Sequence, residues 1–306
     1  MKNFSLYHAY NFWPESGLLP SITPIADALV YHANTLWLFT KSDFMTTMIP
    51  ISIFAIVAAP LTSIRNLPHL VFWLWFHLLH FNASNQTASL EDATNKPDRP
   101  LPAGRITLQA ALVLRWALMP MCWALSLAYS KEVMFSSMAL SAFTFIYNEL
   151  GGSSAHFVFR YSLNGLGFAA FEAGTTLVAS ACLDKAGWLA ILLSACIFAT
   201  TIFAQGSSAF LVGDALISRD TIPLRFGSPS RIALLVGVVA WSIGLSQIWN
   251  VDVYSAVAFT VLGAFAGARF IKHTTIEEDR NSYFYYNVWV SVAHILPGYW
   301  RLFRAI

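Results

Sequence analysis

Charged side chains are scarce in this 306-residue chain: Asp, Glu, Lys and Arg make up 11% of it, against 57% hydrophobic residues. A soluble domain carries about 25% charged residues. A single water-solvated globule is therefore excluded as the simplest arrangement, and the bilayer is the expected solvent. Cysteine is also rare. Cys122, Cys182 and Cys196 are scattered through apolar runs without a CxxC spacing, which excludes a zinc ribbon or a disulfide framework and leaves small buried side chains. The net charge of +2 gives no basic excess that would indicate nucleic acid. His77, His80, His156 and His294 lack a metal-ligand spacing such as HExxH and read as structural. The opening run MKNFSLYHAYNFWPESG has no apolar segment followed by a small-residue cleavage site, so no cleavable signal peptide is expected.

What is present is a series of long apolar runs. About nine membrane-crossing helices are predicted, over residues 45–62, 67–85, 106–128, 132–148, 160–182, 187–205, 229–248, 252–269 and 284–300. The stretch 25–39, with Tyr31 and Trp37, reads as an amphipathic helix lying in the interface. The expected division is an N-terminal cytosolic segment, 1–44, and a single transmembrane domain, 45–306. Alternating crossings place Lys2, Lys41, Lys96, Arg99, Arg105, Arg160, Arg219, Arg225, Arg231, Arg269, Lys272 and Arg280 on one side. Arg65, Lys131, Lys185, Arg301 and Arg304 fall on the other. The richer side is cytosolic by the positive-inside rule, and it holds the N-terminus and both long polar loops. The sequons at Asn82 and Asn85 then lie away from the glycosylation machinery and are accidental.

The first polar loop, FNASNQTASLEDATNKPDRPLPAGR from Phe81 to Arg105, runs from amides through acids to bases. Asn85, Ser89 and Asp92 are spaced as one face of a helix continuing two turns past the bilayer, with Glu91 beside them. Pro97, Pro100 and Pro102 then stop the helix. Magnesium is satisfied by one or two carboxylates when waters and substrate phosphates supply the rest. Asn85, Glu91 and Asp92 are the candidate metal ligands, and Lys96, Arg99 and Arg105 the candidate grip on a diphosphate. A solvated loop whose bases only set topology fits the same composition.

Two sets of residues resemble motifs of the UbiA superfamily of membrane prenyltransferases. Arg99, Pro100, Pro102, Gly104 and Arg105 match its RPxPxGR turn. Its NDxxDxxxD pattern maps onto Asn85, Gln86, Ser89 and Ala93, and only the Asn is in register. The NQ pair, the displaced Glu91-Asp92 and the NKPxRP run instead resemble fungal UbiA-type proteins that include membrane-bound sesquiterpene cyclases, as does LWLFTKSDF from Leu36 to Phe44. In the second loop, residues 205–227 resemble the second motif, GDxxxGRxTxPxxxG, at Gly213, Asp214, Arg219, Thr221, Pro223 and Gly227. Ser218 stands in place of a glycine, and Phe210 stands where a further acid is expected. The resemblance implies Asp214 as a metal ligand, with Gln205 a possible helper, and Arg219 as a diphosphate partner.

On the fifth span Asn164, Phe168 and Glu172 stack at i, i+4 and i+8 and are candidates for an internal cavity. An intramembrane carboxylate needs a buried partner, so a plain interhelical hydrogen bond is the equal alternative for Glu172. Aromatic residues are 15% of the chain. Most suit lipid contact, and some of Phe72, Trp73, Trp75, Phe76, Phe143, Tyr147, Phe168 and Phe171 can line a cavity that shields a carbocation.

The resemblance implies an all-α polytopic bundle around a central cavity, with magnesium as cofactor and a prenyl diphosphate as substrate. The leading expectation is a terpene cyclase acting on farnesyl diphosphate in fungal terpenoid secondary metabolism, embedded in the endoplasmic reticulum. A prenyltransferase using a separate acceptor is the alternative. The missing acids keep open a non-catalytic transporter or scaffold.

Overall fold

A computed structural model describes residues 24–89, 91–206 and 210–304. The N-terminal residues expected to lie in the cytosol, Lys2 among them, fall outside the described residues, as do the serines after Gly206. Every regular element among the described residues is helical, and no strand occurs among them. The long helices are α1 Pro24–Thr40, α2 Ile49–Val57, α3 Asn66–Ala88, α5 Leu108–Leu127, α6 Lys131–Asn148, α7 Phe157–Ser180, α8 Lys185–Thr201, α11 Ser228–Ile248, α12 Val253–Lys272 and α13 Ile276–Arg304. Three short ones, α4 Asp92–Asn95, α9 Leu211–Leu216 and α10 Ile222–Phe226, lie in the two polar connections.

Most predicted spans match helices within a few residues. Local chemistry sets the ends: the hydroxyls of Thr107 and Ser130 and the carboxylate of Asp184 accept from backbone N–H groups at the starts of α5, α6 and α8. The first predicted span is different. Residues 45–62 are not one helix but a π-helical turn, Phe44–Met48, joined to α2, which ends at Val57. Pro50 in the first turn of α2 has no N–H to give, so the ladder is broken here. The break turns Asp43, Thr46 and Thr47 towards the interior. The predicted interfacial helix is α1. Leu29, Val30 and Trp37 are exposed, while Phe39 is buried and Leu36 packs on the same cluster beside α3.

Four helical segments are long and apolar enough to cross a membrane by length and composition alone: Leu108–Leu127, Lys185–Gly206, Ser228–Ile248 and Val253–Lys272. Their outward faces carry Val113, Trp116, Leu192, Val236, Val257 and Val261, all exposed. Apolar side chains turned outward along helices whose backbone groups are satisfied internally are what a lipid solvent selects.

Helix α7 is the centre of the bundle and packs against α2, α3, α6 and α8. Close approach to α3 depends on Gly174, where a Cβ would run into the indole of Trp73. That ring has no room to yield. It is fully buried, stacks on His77 at 3.8 Å, and donates from Nε1 to Ser126 Oγ at 2.9 Å. Gly174→Ala is expected to cost about 1–3 kcal/mol through overpacking. Thermal unfolding of the detergent-solubilised protein reads this loss, and an unchanged midpoint would mean that the α3–α7 contact adjusts freely.

Candidate active site

The first polar connection folds differently from the continuous helix predicted for it. Helix α3 ends at Ala88, and Ser89 leaves the helical region with ψ 89°. Its Oγ donates to the side-chain Oδ1 of Asn85, one turn back, at 3.2 Å. Asp92 therefore sits not on α3 but at the start of α4. The backbone of Lys96 closes that turn onto Asp92 O at 2.9 Å. Asn85, Ser89, Glu91 and Asp92 nevertheless line one cavity.

The second connection meets it through a glycine. A Cβ on Gly213 would collide with the side chain of Asn95, and the Gly213 N–H donates to Asn95 Oδ1 at 3.2 Å. This contact holds α9 against α4 and explains why the position carries no side chain. After α9 the chain turns at Ser218, whose φ of 51° is the left-handed conformation that glycine adopts more readily. Arg219 follows, its N–H donating to Asp214 O at 2.9 Å.

Charge then ties the two connections together. Arg219 Nη2 lies 2.6 Å from Glu91 Oε1 and its Nη1 lies 3.0 Å from Asp214 Oδ1. Arg99 donates to Asp92 Oδ2 at 2.6 Å and stands 3.8 Å from Asp43. Lys96 has its Nζ 4.8 Å from the centre of the Phe210 ring, so the aromatic residue found where an acid was expected receives a cation on its face. Burial lowers the Lys96 pKa to about 8, and nearby Arg99 pushes the same way. Burial raises the pKa of Asp214, against the pull of Arg160 and Arg219.

The cavity, counted together with the open solvent at its mouth, spans about 1260 Å³. Its rim is ionic and its depth aromatic. Phe143, Tyr147, Phe168 and Phe171 line it as expected, joined by Phe81, Phe198 and Phe203. Phe168 and Phe198 stack at 3.4 Å between centroids. Of the other cavity candidates, Trp73 faces Ser126 on α5, Trp75 donates to Thr40, and Phe72 is exposed and stacks on Phe76.

Asn164 lines the cavity, as do Lys96, Arg99, Asp214, Arg219 and Gln205. Arg105 does not. Its guanidinium lies over the Tyr31 ring at 4.6 Å and reaches Thr35 on α1, because the proline turn carries it away from the rim. Glu172 is also absent from the lining and sits fully buried one helical turn beyond Phe168, hydrogen-bonded to Ser194 and to His294. Glu149 pairs with Arg115 at 2.8 Å outside the cavity.

Two charged lining residues had not been singled out as site residues. Asp43 comes from the break before α2, and its one signal in sequence is its place in LWLFTKSDF. Arg160 looked like a topology charge. Its Nε donates to Tyr147 Oη at 3.3 Å, and its Nη1 is buried with no hydrogen-bond partner among the described residues.

Among the described residues no three His, Cys, Asp or Glu side chains stand close enough to hold a metal unaided. The donors at the rim still suit magnesium. They are hard oxygens from carboxylates and amides, and Glu91 Oε2 is buried with no hydrogen-bond partner among the described residues. One or two such carboxylates suffice when water and phosphate complete the octahedron.

Comparison with known proteins agrees with this architecture. The chain is 32% identical over 273 residues to fumagillin beta-trans-bergamotene synthase of Aspergillus fumigatus, covering 88% of this chain and 93% of that protein. It is 29% identical over 267 residues to diterpene cyclase eriG of Hericium erinaceus, covering 81% and 82%. A UbiA homolog from Archaeoglobus fulgidus bound to GPP and Mg2+ superposes with a TM-score of 0.62 at 14% identity, over 87% of this chain and 98% of that one, and so shares the fold. The four helical segments long and apolar enough to cross a membrane fit an integral membrane protein. The description "UbiA prenyltransferase family" matches residues 47–289, and the chain belongs to that family.

Proposed function

We propose that this protein is a magnesium-dependent terpene cyclase that ionises a prenyl diphosphate, farnesyl diphosphate in the first instance, and closes the hydrocarbon on itself. The observation that carries the reading is the single cavity whose rim pairs acids with bases and whose depth is aromatic. The relatives named for terpene cyclisation favour it over transfer to a second molecule.

In this reading Lys96, Arg99, Arg160 and Arg219 hold the diphosphate oxygens, the arginines through paired donors. Asn85, Glu91, Asp92 and Asp214 would hold magnesium, with Asp43 and Gln205 beside them. Bound magnesium neutralises charge on the departing diphosphate. Arg219 and Arg99 release their carboxylates as they take up phosphate, so the rim exchanges one set of ion pairs for another. The C–O bond breaks with its electron pair on the diphosphate, leaving an allylic cation in the apolar depth. A distal double bond supplies the electrons for the new C–C bond, and loss of a proton to the released diphosphate yields a neutral hydrocarbon. The rings of Phe81, Phe168, Phe171 and Phe198 exclude water and face the cation with π density.

The accompanying topology has about nine crossings with both polar connections on the cytosolic side of the endoplasmic reticulum. A transmembrane unit from residue 45 onward follows an N-terminal interfacial segment. Arg105 serves there as a clasp between the proline turn and α1 rather than as a phosphate ligand.

Membranes containing the protein, supplied with farnesyl diphosphate and magnesium, are expected to release diphosphate and a volatile hydrocarbon detectable by mass spectrometry. Asp92→Asn and Asp214→Asn should each lower the rate by about a hundredfold or more, as loss of a charge-stabilising group does. Diphosphate release only with an added aromatic acceptor would make the protein a prenyltransferase, and no release from any prenyl diphosphate would remove both readings. The lowered Lys96 pKa gives a second expectation. The ammonium is charged below pH 8 and neutral above, so affinity for magnesium diphosphate should weaken as pH rises through about 8. Lys96→Arg should move that limb out of the measurable range in a binding titration. An identical limb in the variant would assign it to another group.

A further inference from the structure

The mechanism above leaves unused a fully buried carboxylate in the middle of the bundle. Helices α7 and α8 run antiparallel and pair residue against residue: Phe168 stacks on Phe198, and one turn further along both helices Glu172 meets Ser194. The ring pair belongs to the cavity wall, so the Glu172–Ser194 pair lies directly behind that wall. From α13, His294 Nε2 reaches Glu172 Oε1 at 2.9 Å and Ser194 Oγ at 3.1 Å. The second oxygen, Glu172 Oε2, is buried with no hydrogen-bond partner among the described residues.

Donor and acceptor accounting fixes the proton content of this cluster. His294 Nδ1 lies 2.6 Å from the carbonyl of Val290, which only accepts, so Nδ1 carries a hydrogen. Ser194 donates to Glu172 Oε1. One further proton then belongs to the cluster, shared between Oε1 and Nε2 directly or through the Ser194 hydroxyl. Without it, a bare nitrogen would face a carboxylate oxygen. The pair is either carboxylic acid with imidazole or carboxylate with imidazolium, net neutral in both forms. A neutral pair is what an apolar bundle tolerates, and moving its proton towards His294 creates a dipole. The negative end of that dipole is Glu172, next to Phe168 and Phe171 of the cavity. The positive end is His294, whose ring packs edge-on against buried Phe54 at 5.6 Å.

We propose that Glu172, Ser194 and His294 form a recognition element for positive charge on the bound hydrocarbon, behind the Phe168–Phe198 wall. A cation in the cavity draws the shared proton towards His294, and the carboxylate left behind favours charge at carbons near that wall. Glu172 touches neither substrate nor reacting atoms and is a positioning residue. The expectation that such a cation arises rests on the cyclase reading. A hydrogen-bonded lock between three helices would use the same contacts, but it would be indifferent to ligand charge.

The test uses the full chain in nanodiscs with magnesium and diphosphate present. It is titrated with a farnesyl-length ammonium, in which nitrogen replaces a cationic carbon, and with the neutral carbon isostere. Wild type is expected to prefer the ammonium by about tenfold or more, equivalent to about 1.4 kcal/mol. Glu172→Gln is close in size and keeps an oxygen at the Oε1 position to accept from Ser194, but it has no acidic proton to share with His294. It should lose the preference while binding the neutral compound as before. Ser194→Ala should keep most of the preference, and His294→Gln should lose it, which covers a Glu172 variant that fails to fold. Absence of a preference in wild type overturns the proposal. So does a parallel loss of both affinities in Glu172→Gln with a lowered melting temperature, which is the signature of a lock. A wild-type preference without product from any prenyl diphosphate would remove the cyclase reading and still support this one.

Discussion

One guanidinium joins the two halves of the site. Arg219 holds Glu91 of the first polar connection and Asp214 of the second, residues far apart in sequence and both buried. Separating buried charges from water is expensive, and their attraction offsets this only when geometry is good and the remaining hydrogen bonds are made. Here the compensation is incomplete, since Glu91 Oε2 has no hydrogen-bond partner among the described residues. A site assembled this way is held closed by its own ions while remaining open to a better set of partners. A metal-bound diphosphate is such a set, because it gives the carboxylates a cation and the arginines an anion at once. The Gly213–Asn95 contact lets this happen without moving the backbone, since it fixes α9 against α4 independently of the charges.

The bundle beneath that rim is organised by α7. Its glycine at position 174 admits the Trp73 ring, its Phe168 and Phe171 form cavity wall, and its Glu172 lies behind that wall. A single helix therefore carries the packing contact, the aromatic surface and the buried acid. Ionic groups stand where the cavity opens and rings where it is deepest. This order matches an amphiphile with a charged head and a hydrocarbon tail, and it needs no large rearrangement to separate the leaving group from the carbon chain.

Much of this was legible in the sequence. Helix positions followed from apolar runs, because in lipid every backbone group must be satisfied within its own segment. The candidate metal and phosphate residues of the first loop followed from acids beside bases, Asp214 and Arg219 followed from the resemblance, and all but Arg105 line the cavity. What escaped has physical causes. Ser89 looked helical by spacing, but its backbone leaves the helical region at ψ 89°, so Asp92 arrives on a separate turn. Asp43 reaches the rim only because the ladder breaks ahead of Pro50, and periodicity does not register a π-helical turn. Glu172 shares a face with Asn164 and Phe168, yet its orientation is set by Ser194 and His294 on other helices. A one-dimensional pattern cannot contain those partners.

The acids missing from the family pattern acquire a rationale from charge balance. Among the described residues, the acidic side chains lining the cavity are Asp43, Glu91, Asp92 and Asp214 and the basic ones Lys96, Arg99, Arg160 and Arg219, as many bases as acids. At Phe210 the expected acid is replaced by a ring that takes the Lys96 ammonium on its face, which leaves Asp43 to restore the count from a different helix. In a cavity with little water an unbalanced charge is poorly screened. A rim that is neutral when empty best accepts a ligand whose own charge is nearly cancelled. A bare diphosphate would bring several uncompensated negative charges into that space, whereas a diphosphate carrying its divalent cation brings few. The neutrality of the whole rim therefore favours a metal-bound diphosphate over a bare one, and redistribution of the acids among helices preserves that neutrality where loss of an acid alone would not.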